Sequence, residues 1–356
     1  MANQLLYGFM TLADVADRRV TEVGTSVVWD AINRTVAEHN RQIEALMGLF
    51  VSKTTEFKQT FATPTIARLQ PLDDNGRALP IKPSGKYDVA FPLQAGGTAW
   101  GANYRMSKKM TVQEANDLTA ALISADIRWM RDHILAALYA NASWAFTDEL
   151  HGALTIQGLA NSDAVKYLLL SGADAGATDT HYLAQAAAIA DATNPFPTIH
   201  DELLEHPEND GDVVALIPTA LKATTQALAE FHPIADANIR QGSGSDVLVG
   251  ALGVATPGEL FGYTDSKVWL AEWRSLPSTH IVGVTTGGER PLKMREEPEA
   301  DLQGFNLVAR RDDHPFYESQ WLRYAGFGAY NRVGAVVYRI GDAAYAVPTN
   351  YGVPMP

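Results

Sequence analysis

Thr111-Val112-Gln113-Glu114-Ala115-Asn116-Asp117-Leu118 opens the longest periodic element of the chain, and Trp129-Met130-Arg131-Asp132-His133-Ile134-Leu135-Ala136-Ala137-Leu138 carries it on. The opening is a capping box: the Thr111 hydroxyl accepts from the amide three residues on, while Glu114 reaches back to the Thr111 amide. A helix is expected from Thr111 to about Ala142, about 48 Å long at 1.5 Å per residue. One apolar stripe runs through Val112, Ala115, Leu118, Leu122, Ala125 and Trp129, and a second through Ile123, Ile127, Met130, Ile134 and Leu138. Glu114 and Asp117 sit near the positive end of the helix dipole, and Arg128 and Arg131 lie towards the negative end. A helix this long, apolar on more than one stripe, is a spine covered from more than one side.

N-terminal to it the period changes. Phe57, Gln59 and Phe61 alternate with Lys58, Thr60 and Ala62, and Asp73-Asp74-Asn75-Gly76 is a hairpin turn signal. A second limb runs from Tyr87 to Leu93, and Gly96-Gly97 is expected to break it. Pro64, Pro71, Pro80, Pro83 and Pro92 lie in or beside these limbs, which suits a projecting two-stranded ribbon better than central strands. An isolated ribbon is marginal in water and needs a surface to lie on. Before the ribbon, Trp29, Ile32, Val36, Ile43, Met47 and Phe50 recur at helical spacing, giving an amphipathic helix of about 25 residues. The first 24 residues read as an arm.

C-terminal to the spine, Tyr182 to Ala192 is expected to be an alanine-rich helix, and Thr198 and Asp201 are expected to open another towards His206. Val213 to Ile217 is a buried strand with a helix, Thr219 to Phe231, behind it. After the flexible Gly242-Ser243-Gly244-Ser245 come strands at Val247 to Val249, Val268 to Trp273 and Ile281 to Val284. Phe316 to Tyr330 alternates aromatics with small and polar residues, and Val333 to Ile340 is a further buried β run. Together these define an α+β protein.

The 356 residues carry a net charge of −13 at pH 7, with 46% hydrophobic and 19% charged residues. That composition supports a large core and excludes wholesale disorder. No apolar run reaches the ~18 residues of a membrane helix, and the first residues form neither a secretory signal nor a transit peptide. The absence of cysteine removes disulfides, thiolate catalysis and Cys-zinc sites. The acidic balance argues against a sequence-reading nucleic-acid binder.

His200-Asp201-Glu202-Leu203-Leu204-Glu205-His206 is the one dense cluster of metal-type ligands. Its histidines are six apart, whereas a zincin needs His-Glu-x-x-His, so a solvated helix face is expected and a metal-dependent hydrolase using His200, Glu202 and His206 is the rival reading. His151, His181, His232 and His280 stand singly. The glycine-rich stretch at 242–245 lacks the third glycine of a dinucleotide fingerprint, and 172–176 lacks the lysine of a phosphate loop. Glu296-Glu297 and Asp312-Asp313 read as solvated loop pairs, and Trp321, Tyr324, Phe327 and Tyr330 as a half-buried sheet. No catalytic, cofactor-binding or metal-binding residue is expected, and no enzymatic activity. Arm, ribbon and two-striped helix all carry apolar surface without an evident partner in the chain, which points to other copies of the chain.

In order of elements the chain resembles the major capsid proteins of tailed bacteriophages, the group with the HK97-type fold. The residues that carry the resemblance are Met110 to Asp117 and Trp129 to Leu138, like the spine helix of that family, and Leu260-Phe261-Gly262-Tyr263 with the strand to Trp273, like its axial domain. The resemblance implies an N-terminal arm over 1–54, an extended β-hairpin loop over 55–105, and a peripheral domain over 106–180. It places an axial domain over 181–310 and return strands with a C-terminal tail over 311–356. It implies a structural protein forming the pentamers and hexamers of an icosahedral shell around phage double-stranded DNA, without sequence-specific DNA binding or membrane contact. Its partners would be other copies of itself, a separate scaffolding protein, a portal and, where the shell is reinforced, a decoration protein. Its place would be the virion, after assembly in the bacterial host cytoplasm. Asp246 to Thr264 or Gly172 to Thr180 would supply the central axial loop. An encapsulin-type protein-cargo shell is the alternative on the same fold. Some family members cross-link a hairpin-loop lysine to an asparagine of a neighbour; Lys82, Lys86, Lys108 and Lys109 are the lysines in range, and no cross-link is expected.

Overall fold

The computed structural model describes residues 16–62, 72, 74, 76–77, 86–163, 165–171, 179–234, 256–311 and 316–355. The chain divides into two compact units, one of Met1–Glu44, Gln94–Arg131 and Glu296–Ala325, the other of Ala45–Leu93, Asp132–Arg295 and Gly326–Pro356. Among the described residues no helix is long and apolar enough to cross a membrane.

The first unit is built on two helices. The spine helix runs Val112–Tyr139, its first turns lying in this unit. Both halves of the capping box form: the Glu114 amide donates to Thr111 Oγ1 at 3.2 Å, and the Thr111 amide donates to Glu114 Oε2 at 2.9 Å. The helix Thr25–Met47 buries Val28, Ile32 and Val36 against Val112, Ala115 and Leu122 of the spine and against Phe305 and Trp321. The face expected to be apolar therefore closes a core within the chain. Phe316–Ala325 forms the middle of a sheet, antiparallel on one side to Gln94–Asn103 and on the other to Phe305–Arg311.

The ten-residue strand Gln94–Asn103 corrects the expectation that Gly96-Gly97 ends a limb. A Cβ at Gly96 would stand 2.8 Å from the Trp129 indole, and one at Gly97 2.5 Å from Leu322 Cδ2. The two glycines are sites where neighbouring side chains occupy the space of the missing one, a use that glycine has in strand interiors.

A buried polar network joins the elements of this unit. Arg323 donates through Nε to Asp126 Oδ1 at 2.6 Å and through Nη2 to Asp126 Oδ2 at 2.7 Å, and His39 Nε2 lies 2.7 Å from the same Oδ2. Arg323 also reaches Asn40 Oδ1 at 2.9 Å, and Asn40 pairs with both main-chain groups of Phe305. Burial would push the Asp126 carboxyl up, but the hydrogen bonds from His39 and Arg323 outweigh it and hold the group below its usual range.

The second unit carries a seven-stranded mixed sheet, ordered Tyr182–Gln185, Ala335–Ile340, His280–Thr285, Val213–Ile217, Val268–Glu272, Glu259–Thr264 and Phe231–Pro233. Val213–Ile217 is buried along its whole length, as its unbroken apolar run requires. The helix Phe196–Leu204 packs Ile199 and Leu203 over Gly283, where a Cβ would meet Ile199 at 2.5 Å. A smaller sheet, ordered Lys58–Ala62, Lys86–Ala90, Gly152–Ile156 and Trp144–Asp148, contains both ribbon limbs. The limbs pair antiparallel from Lys58↔Ala90 to Ala62↔Lys86, and Ala90 bridges on to Ile156, so the base of the ribbon is part of a sheet. The 73–76 turn signal, apart from Asp74 and Gly76, lies outside the described residues.

Three further expectations are corrected here. Tyr182 does not start a helix: Tyr182–Gln185 is a strand parallel to Val337–Ile340, and the Gln185 amide ties the following loop by donating to Ala187 O and Thr193 O. Sheet pairing overrides the helix propensity of the alanines. The next helix opens at Phe196, whose amide donates to Asn194 Oδ1, two residues before the expected Thr198. The helix from Thr219 ends at Gln226. Val247 to Val249 lies outside the described residues.

In this unit Gly326 stands where a Cβ would come within 2.2 Å of Pro92 O. Gly326→Ala is expected to cost about 3 kcal/mol, because the obstacle is backbone and cannot swing away. A shift of the urea midpoint at constant slope is the check, and an unchanged midpoint would contradict the packing.

Candidate functional site

The helix Phe196–Leu204 faces the sheet with Phe196, Ile199 and Leu203, which leaves His200 and Asp201 on its outer side. His200 Nδ1 is 3.1 Å from Asp201 Oδ1, and it joins no ligand cluster among the described residues. His206 is different: it follows the helix end at Glu205 and is 1% exposed. The solvated face expected for the cluster therefore holds for His200 and Asp201 and fails for His206.

Opposite His206 stands His181, also fully buried, at the start of the edge strand Tyr182–Gln185. Its amide donates to Ala160 O and its carbonyl accepts from Val337, which fixes the backbone on both sides. The two imidazoles meet at Nε2···Nε2 3.3 Å. Asp179 completes the group, with Oδ1 3.7 Å from His181 Nε2 and Oδ2 3.8 Å from His206 Nε2. Among the described residues neither oxygen of Asp179 has a hydrogen-bond partner, although the side chain is 2% exposed. His206 Nδ1 donates to Leu168 O at 3.0 Å, which leaves Nε2 as its lone-pair nitrogen when the ring is neutral.

Electrostatics follow from burial. Desolvation pushes the His181 imidazolium down to about 3, so the ring is neutral at any ordinary pH. Desolvation raises the Asp179 carboxyl. Glu202, on the helix nearby, is raised to about 7 by burial and by the charges of Glu205 and Asp179. Sequence reading grouped His206 with His200 and Glu202 by proximity along the chain and missed Asp179 and His181. No local signal marks the group, since His181 and His206 are 25 residues apart and only sheet formation brings them together.

Next to this group Arg332 anchors the segment leading to it. It donates to Gly158 O, Leu159 O and the Tyr167 hydroxyl, at 2.5, 3.0 and 2.9 Å, and pairs with Asp163. The Tyr87 hydroxyl is pushed up to about 12, mainly by burial.

The remaining expected positions are spread out. Lys86 opens a ribbon limb, Lys108 and Lys109 end the short helix Tyr104–Lys109, and Lys82 lies outside the described residues. Most of each suggested central loop, 172–178 and 246–255, also lies outside them. His151 stacks on Phe57, and His280 is buried with Nε2 donating to Ala346 O. Trp321 and Phe327 are buried in the long strand Phe316–Ala329, Tyr324 is half-buried, and Tyr330 follows the strand end. Exposed apolar side chains occur in both units, including Met106 at 60% and Leu150 at 79%.

No protein-family model matches the sequence, and no curated protein matches it. Solved structures do. The paired ribbon limbs, the spine helix, the mixed sheet and the returning C-terminal strands, in this order along the chain, make an HK97-type fold. A structure from Mycobacterium phage Patience is similar over 99% of both chains, with a TM-score of 0.68 at 17% identity. The capsid of a native GTA particle is 12% identical, covering 84% of this chain and 90% of that one with a TM-score of 0.48. The capsid of cyanophage P-SCSP1u is 8% identical, covering 82% and 86% with a TM-score of 0.48.

Proposed function

We propose that this chain is the major capsid protein of a tailed bacteriophage, a structural subunit whose pentamers and hexamers form an icosahedral shell around double-stranded DNA. The observation that carries this reading is the end-to-end likeness, 99% of both chains, to a structure from a phage. The role is mechanical and calls for no reaction. Exposed apolar side chains such as Met106 and Leu150 are surface that neighbouring copies would cover. Contacts of head-to-tail type close into rings when the rotation between copies closes. The net charge of −13 suits a container that holds a polyanion without gripping it. A separate scaffolding protein and a portal would be its partners during assembly, and the virion its final place.

The test is particle size. The full chain, produced alone and together with the scaffolding protein of its own genome, is expected to give rings or closed shells in size exclusion and negative-stain microscopy. A well-behaved monomer or dimer under both conditions would overturn the proposal. Closed shells that package a protein cargo in place of DNA would move it to the encapsulin-type alternative.

A further inference from the structure

We propose that Asp179, His181 and His206 form a structural site for a divalent transition-metal ion of the zinc class, pinning the edge strand of the second unit's large sheet to the end of its outer helix. Three independent features of the geometry support this.

The first is spacing. Ligand atoms about 2.0–2.1 Å from a tetrahedral ion lie about 3.4 Å from one another. The two imidazole nitrogens are 3.3 Å apart, and the Asp179 carboxylate faces them with Oδ1 3.7 Å from His181 Nε2 and Oδ2 3.8 Å from His206 Nε2, so a small rotation of the carboxylate brings one oxygen and both nitrogens around a single ion. The second is orientation. His206 presents Nε2 to the group and donates its other ring nitrogen to Leu168 O, the arrangement by which a backbone carbonyl fixes the tautomer of a metal-binding imidazole.

The third is an unmet requirement. The two facing nitrogens can satisfy each other, His181 Nε2–H donating to His206 Nε2, which leaves His181 Nδ1 without a hydrogen-bond partner among the described residues. The carboxylate of Asp179 is not explained that way. It is buried against the same two nitrogens, with no donor for either oxygen among the described residues, and burying such a group without a partner is costly. A cation supplies that partner. On binding, the proton of His181 Nε2 passes to its own Nδ1, so both rings ligate as neutral imidazoles. Glu205 is a further donor beside the group, with Oε1 3.6 Å from His206 Nε2 and its side chain 40% exposed, which offers both a fourth ligand and a route in for the ion. Two carboxylates and two imidazoles would neutralise a divalent charge. This set differs from the hydrolase cluster considered from sequence, because His200 is outside it and the fourth position is closed by protein.

The test uses the full chain, stripped with a chelator and shown to be folded by circular dichroism. Titration with Co²⁺ alone is expected to give the visible d–d bands of a tetrahedral site, saturating at one ion per chain, and Zn²⁺ is expected to displace them. Excess Zn²⁺ should raise the melting temperature by about 5 °C, reversed by chelator. His206→Ala and His181→Gln should each weaken Co²⁺ binding at least tenfold, whereas His200→Ala should leave it unchanged. Absence of stoichiometric Co²⁺ or Zn²⁺ binding by the folded wild-type chain overturns the proposal whether or not the variants fold. Binding that survives in folded His206→Ala overturns it too. Neither result bears on shell formation, which is read separately by particle size.

Discussion

Replacing Arg323 by methionine is expected to remove about 3–5 kcal/mol of unfolding free energy, the loss seen when one partner of a buried ion pair is taken away. The reason is what remains. Asp126 would keep its place in the core of the first unit, with side-chain exposure of 2%, after losing both prongs of the guanidinium. His39 Nε2 stays at 2.7 Å from one oxygen, but the other has lost its donor. Asn40 loses a donor as well, although its pairing with Phe305 holds it in position. Equilibrium urea unfolding measures the effect. The double variant Asp126→Asn, Arg323→Met should recover part of it, because a neutral amide is cheaper to bury than an orphaned carboxylate.

The same pair sets a pH dependence. The folded-state value of Asp126 is depressed, so the contribution of its ionised form is fully present above the unfolded value of about 3.9 and is lost as pH falls through the folded value. The stability gap between wild type and Arg323→Met should therefore be widest near neutrality and narrow in acid. A gap independent of pH would mean that Arg323 acts through packing alone.

The second large effect is expected at Arg332. Its three hydrogen bonds to Gly158 O, Leu159 O and the Tyr167 hydroxyl diverge from one planar group, and the pairing with Asp163 adds a fourth contact. Arg332→Met should cost about 3–5 kcal/mol, since two main-chain carbonyls and a carboxylate lose a donor together. Arg332→Lys keeps the charge but delivers its donors from a single point, so it should recover less than half of the loss. Urea unfolding of both variants checks this. A lysine variant within about 0.5 kcal/mol of wild type would show that charge, and not the fork, is what the site uses.

What was legible in the sequence was local. The capping box of the spine is written within four residues, and both of its hydrogen bonds are present. The stripe Trp29, Ile32, Val36 has helical spacing, and the alternation around Trp321 and Phe327 has strand spacing, so both were readable. What was not legible depends on residues far apart. Gly96-Gly97 looks like a break until Trp129 and Leu322 are placed against it. The alanines after Tyr182 look helical until Val337–Ile340 offers a partner strand. The Asp179, His181 and His206 group is invisible for the same reason: its members belong to a loop, a strand start and a helix end.

The fit of Trp129 over Gly96 also acts as a gauge. Residues on one face of a strand repeat every about 6.6 Å, and the next positions on the Gly96 face are Gln94 and Thr98, each with a side chain where the indole would have to go. Sliding the spine helix one notch along Gln94–Asn103 in either direction is therefore blocked. Within the first unit, the stretch of that helix up to Arg131 and that strand therefore travel as one piece.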